Sequence, residues 1–150
     1  MVQWNDSLQT GHAAIDADHR RLFGLLQKLG DSLQAPADTG ALSELLLTFH
    51  RHVRAHFERE ETHMLEHGCP AYARNQSEHR RFAALLDDWA TRCAQEGPTK
   101  ALAFDVYHGT GNWLSAHIRT TDCDLRECLR RVPLEPGSGH PFATVHAAAR

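Results

Sequence analysis

Leu22, Phe23, Leu26, Leu29 and Leu33 recur at helical intervals, marking one apolar face rather than the alternation of a strand. The same period runs through Leu42, Leu45, Leu46, Phe49, Val53 and Met64, and then through Phe82, Leu86, Trp89 and Cys93. It returns in Leu102, Val106 and Trp113. Breakers separate these runs: residues 35–40, Gly68 with Pro70, Gly97-Pro98 and Pro133. The pattern predicts helices near 17–34, 41–67, 71–96 and 99–131. Asp16 is expected to cap the first, Asp38 or Thr39 the second, and Pro70 falls in the first turn of the third. Residues 1–15 read as irregular, anchored by Trp4, Leu8 and Ile15. Four amphipathic helices on short connectors pack most simply as an all-α, antiparallel up-down-up-down four-helix bundle. We expect it over residues 1–132, with an aperiodic Pro-, Gly- and Ala-rich tail over 133–150.

The apolar stripes are interrupted at one level by polar residues. His56 and Glu60 stand four apart on the inner face of the second helix, where an unpaired carboxylate is costly. Such a pair is ordinarily a surface contact. Here, however, His19 lies on the stripe of the first helix, Asn75 and His79 on that of the third, and His117 on that of the fourth. A single inward histidine is commonly a hydrogen-bonded core residue; one set per helix is harder to explain that way. Asp122 adds a second carboxylate, but five residues turn an ideal helix by about 500°, leaving it about 140° off the face of His117. It reaches the interior only through a π-bulge or an unwound turn. Two carboxylates able to bridge, with histidines at each end, suit a two-metal site within a bundle.

Composition removes several alternatives. The chain has 150 residues, 41% hydrophobic and 23% charged, which fits one globular domain. A formal charge of −3 leaves no basic footprint for nucleic acid. No apolar run suffices to cross a membrane, and the N-terminus lacks a signal-like pattern, so a cytoplasmic protein is expected. Cys69, Cys93, Cys123 and Cys128 contain no C-x-x-C pair and suggest no disulfide framework; we expect small buried residues or idle thiols. Histidine is over-represented, with 12 residues scattered from His12 to His146.

In combination and order, several segments resemble the bacteriohemerythrins, single-domain bacterial relatives of the oxygen-carrying hemerythrins. They are Trp4, Ile15-Asp16-Ala17-Asp18-His19, His56-Phe57, Glu60-Glu61 with Met64, and Pro70 followed by His79-Arg80-Arg81-Phe82. Trp113-Leu114-Ser115-Ala116-His117-Ile118 and Asp122 complete the set. The resemblance covers residues 4 to about 130 and implies two iron ions in an oxo- or hydroxo-bridged di-iron centre. By position, Glu60 and Asp122 would bridge. His19 and His56 would hold the iron that keeps an open position for dioxygen, and His79 and His117 the other. Trp113, Phe57, Leu22 and Phe23 are expected to wall the ligand pocket.

One position departs from this pattern. The family has a histidine four residues before His79, where this chain has Asn75. His63 is a candidate replacement, since it lies ~4.5 Å along the helix from Glu60 and ~60° round it. The Glu-x-x-His spacing serves one metal in other di-iron bundles. Asn75 itself, through its carbonyl oxygen, or water are the alternatives. Glu58 and Glu61 read as solvated. The leading functional expectation is reversible dioxygen binding for storage, delivery or sensing, with dioxygen as the small-molecule partner and no protein partner legible. The alternatives are an oxidase, peroxidase-like or nitric-oxide-handling di-iron enzyme, encouraged by Asn75, and a degenerate bundle holding one metal.

Overall fold

The computed structural model of the chain describes residues 3–34 and 38–130. The tail expected over 133–150 lies outside the described residues. Helices α1 (Ala13–Gln34), α2 (Thr39–Glu66), α3 (Tyr72–Glu96) and α4 (Lys100–Thr120) form the bundle, and a short α5 (Leu125–Arg130) follows a 3-10 turn at Asp122–Asp124. No strand occurs among the described residues. The long helices neighbour one another in a ring, α1 beside α2 and α4, and α3 beside α2 and α4. This is the architecture that the apolar stripes require.

Local chemistry explains most helix ends. Asp38 accepts the Ala41 amide at 3.0 Å and caps α2, while Thr99 accepts the Leu102 amide at 3.1 Å and caps α4. Gly68 (φ 59°) and Gly97 (φ 80°) supply the left-handed conformation that ends α2 and α3. Two expected boundaries are wrong. Asp16 does not cap α1, which begins three residues earlier at Ala13. Instead, its buried carboxylate accepts the Thr10 amide (2.7 Å), the Thr10 hydroxyl (2.8 Å) and the Gly11 amide (3.2 Å), fastening the N-terminal segment to the helix. The fourth helix does not run on to residue 131: α4 stops at Thr120, and the chain tightens into the 3-10 turn before α5.

The cysteines also depart from expectation. Cys69 and Cys128 form a disulfide that ties α5 to the corner between α2 and α3, whereas Cys93 is a free thiol. The pairing spans 59 residues and depends on α5 folding back, so spacing along the sequence carries no trace of it.

The core has two parts. The larger contains Leu22, Leu26, Phe49, Phe57, Phe82, Trp89, Leu102 and Leu114 among its buried residues. The smaller contains Ile15, Met64, Cys69, Leu125 and Cys128. On α1, α2 and α3 inward polar residues fall where the two meet: His19 between Ile15 and Leu22, Glu60 between Phe57 and Met64, and Asn75 and His79 before Phe82. Each buried Leu or Phe contributes about 1.5–3 kcal/mol. That apolar material above and below holds a polar layer that would not assemble for its own sake.

Candidate metal centre

The polar layer consists of His19, His56, Glu60, Asn75, His79, His117 and Asp122, all at most 2% exposed. α1 brings His19, α2 His56 and Glu60, and α3 Asn75 and His79; α4 brings His117. Asp122 arrives by the unwound route. Thr121 leaves helical geometry (φ −120°, ψ −52°), and the turn it opens aims the carboxylate back into the bundle.

These residues fall into two overlapping groups. His19, His56, Glu60 and Asp122 can each offer one ligand atom with all such atoms within 4.8 Å of one another, and so can Glu60, His79, His117 and Asp122. Glu60 and Asp122 belong to both. His19 Nε2 lies 3.2 Å from Asp122 Oδ2, His117 Nε2 lies 3.0 Å from Asp122 Oδ1, and His79 Nε2 lies 3.3 Å from Glu60 Oε2. Despite this proximity, both Asp122 oxygens, both nitrogens of His19 and of His56, and Glu60 Oε1 lack a partner in hydrogen-bonding geometry. Buried polar atoms are rarely left so. Donor atoms facing a common point instead of one another are what a cation requires, and imidazole with carboxylate suits iron, zinc or manganese. The residues therefore fit a metal pair.

The outward nitrogens of the second group are held by carboxylates. His79 Nδ1 lies 2.9 Å from Glu61 Oε1, and His117 Nδ1 lies 2.5 Å from Glu78 Oε2. Gln76 donates to Glu61 at 3.2 Å, and the Thr121 hydroxyl donates to Glu78 at 3.0 Å. Each carboxylate fixes its ring with Nδ1 protonated and the Nε2 lone pair inward. The two Nε2 atoms stand only 3.0 Å apart, a separation at which two lone pairs repel unless positive charge sits against them. In the first group, His56 Nδ1 is 3.8 Å from Asp18, which pairs with Arg59.

Electrostatics point the same way. Burial pushes the Asp122 carboxyl up, but the nearby His117 and His19 imidazoles prevail and hold it well below the usual carboxylate range. Burial opposes protonation of His79, yet Glu60 and Glu61 at its two nitrogens raise its proton affinity. Burial lowers that of His56 against the pull of Glu60 and Asp122. The hydrogen bond from His79 also holds Glu61 below its ordinary value. The layer attracts positive charge, as a proton or as a metal ion.

Asn75 and His63 fall out differently. Asn75 points inward; its amide nitrogen donates to Glu60 Oε2 at 3.1 Å and lies 2.9 Å from Met64 Sδ, and its Oδ1 is buried without a partner. His63 is not brought to the second group. Its ring packs 4.1 Å from those of His12 and His67, on the flank of α2. The 60° offset from Glu60 carries it past the interior to the α1 side.

Aromatic rings cover the second group. Phe57 stacks on His79 (3.7 Å, 11°) and Trp113 on His117 (4.2 Å, 16°), with Phe82 stacked on Trp113 (4.1 Å, 12°). Phe57 and Trp113 thus lie against His79 and His117, while Leu22 and Phe23 join the larger core, with Trp4 edge-on to Phe23. Glu61, expected in solvent, and Glu78, not singled out, are the residues missed in the sequence. Each adjoins an inward residue, and the 100° step between neighbours on a helix turns it toward the next helix.

Comparison with known proteins agrees with this geometry. The Hemerythrin HHE cation binding domain model matches residues 10–127. Bacteriohemerythrin of Pseudomonas aeruginosa is 26% identical over 127 residues, covering 85% of this chain and 80% of that protein. Bacteriohemerythrin of Ralstonia nicotianae is 26% identical over 122 residues (81% and 84%), and that of Stenotrophomonas maltophilia 28% over 122 residues (81% and 77%).

Proposed function

The chain belongs to the hemerythrin HHE cation-binding family, and on that premise we propose that it is a non-haem di-iron protein that binds dioxygen reversibly. The observation that carries this reading is the sharing of Glu60 and Asp122 between two four-residue ligand groups. His19 and His56 serve one position, and His79 and His117 the other. Iron there would supply the redox chemistry by which dioxygen is captured and released. The protein's part is to orient and to exclude. Glu61 and Glu78 hold the rings of His79 and His117, and Asn75 steadies Glu60 through its amide hydrogens. Phe57 and Trp113 keep water from the ring faces. We assign Asn75 a hydrogen-bonding role and leave the third imidazole's place on the second iron to solvent or the Asn75 oxygen.

That substitution favours a second reading, a di-iron oxidase, peroxidase-like or nitric-oxide-handling enzyme, because the second group has two imidazoles and one extra labile position. Metal analysis with absorption spectra of anaerobic and aerated protein decides between them. Two irons per chain and a band that appears with oxygen and vanishes on its removal support reversible binding. Sustained peroxide or nitric oxide consumption supports the enzyme, and one metal per chain overturns both.

No helix among the described residues is long and apolar enough to cross a membrane. We place the protein in the cytoplasm, a compartment whose thiol buffers work against the Cys69–Cys128 disulfide of the structure. Thiol trapping in cells that finds this pair oxidised would move it to an oxidising compartment.

A further inference from the structure

The last turn of α2 carries a second set of ring nitrogens that the buried layer does not use. His63, Glu66 and His67 share one flank, and one ligand atom from each lies within 4.8 Å of the others. The His63 and His67 rings stand 4.1 Å apart. His67 Nδ1 donates to the His63 carbonyl at 2.9 Å, which leaves Nε2 as the lone-pair nitrogen. His63 Nε2 is buried without a hydrogen-bond partner, although its ring is only half covered. His12 closes one side, 4.1 Å from His63; its Nδ1 accepts the Ile15 amide at 3.3 Å, so its lone pair is spent and it forms a wall. Burial, with His12 and His67 alongside, lowers the proton affinity of His63 and keeps it neutral. The position also suits a cation, since His67 is the C-cap of α2 and the helix's last carbonyls face this end.

We propose that His63, Glu66 and His67 form a separate surface site for a divalent cation of the zinc or copper class. Two imidazoles and one carboxylate from a single turn leave the remaining positions to water. Such a nitrogen-rich, half-exposed donor set prefers copper and zinc to ferrous iron. A cation held there clamps the end of α2 next to Gly68 and the Cys69–Cys128 disulfide.

The test uses protein whose buried centre is already loaded with iron. Zinc is titrated against a chromophoric chelator, and cupric ion is added for electron paramagnetic resonance. One further cation per chain is expected, with the cupric signal showing nitrogen coupling. The double variant His63→Gln/His67→Gln should weaken zinc binding by more than the ~10–100-fold that an outer hydrogen-bond partner is worth. Its iron content and helical circular dichroism should be unchanged. Absence of the extra equivalent overturns the proposal, as does undiminished affinity in the double variant. Zinc uptake matched by iron release also overturns it, because the zinc would then be entering the buried centre.

Discussion

Glu60→Gln separates the fold from the metal centre. Glutamine keeps the shape of the side chain and an oxygen to accept from Asn75, so the bundle should remain intact. What disappears is a negative charge that both ligand groups share within 4.8 Å. At an effective dielectric of ~20, two unit charges ~4 Å apart interact by ~4 kcal/mol, and a divalent ion doubles the attraction. Even the smaller figure corresponds to ~10³-fold in affinity at ~1.4 kcal/mol per decade, and it applies at both positions. The assay is anaerobic loading with ferrous iron, desalting and metal analysis, with circular dichroism as the control for folding. Glu60→Gln should lose both irons with helicity unchanged, whereas His19→Gln, which touches one group, should keep one. A Glu60→Gln protein with full two-iron occupancy would refute the shared-bridge reasoning.

Other substitutions test the remaining assignments. Glu78→Gln should weaken metal binding ~10–100-fold by freeing the His117 ring, measured by chelator competition; unchanged affinity would mean that the contact does not orient the ligand. Asn75→His should slow loss of the second iron to a chelator while costing about 1–3 kcal/mol of metal-free stability, since it enlarges a fully buried side chain. Release kinetics no slower than in the parent would show that the new ring does not reach the metal. Cys128→Ser should lower stability in denaturant titration by about 2–5 kcal/mol in oxidised protein and by markedly less under reducing conditions, where only the burial of a hydroxyl in place of a thiol remains; an equal loss in both would place the effect in packing.

The bundle was legible because its signal is local: stripes such as Leu22-Leu26-Leu29 and Leu102-Val106 repeat within a helix and need no partner to be recognised. The buried set His19, His56, Glu60, His79 and His117 was legible for the same reason, each residue interrupting such a stripe. Asp122 was legible only conditionally, since its inward aim requires the break that the chain makes at Thr121. What escaped involves contacts between separate elements. Glu78 on α3 reaches His117 on α4, Asp16 fastens the segment before its helix, and Cys69 meets Cys128 only after α5 folds back. The placement of His63 failed for a finer reason. A 60° offset on one helix does not say whether the side chain turns toward the bundle axis or the flank, where here the ring meets His12 and His67.

The polar layer divides the core unequally: among the described residues, five buried side chains lie in the smaller apolar body and nineteen in the larger. Cooperative units of a protein open in order of their own stability. The smaller body, with α5 and the turn that bears Asp122, is the natural first unit to open. The cross-link at Cys69 limits how far that unit can swing away. Opening there removes one shared carboxylate while the larger body stays folded, so metal can exchange through a local fluctuation at this end, on a timescale independent of global unfolding.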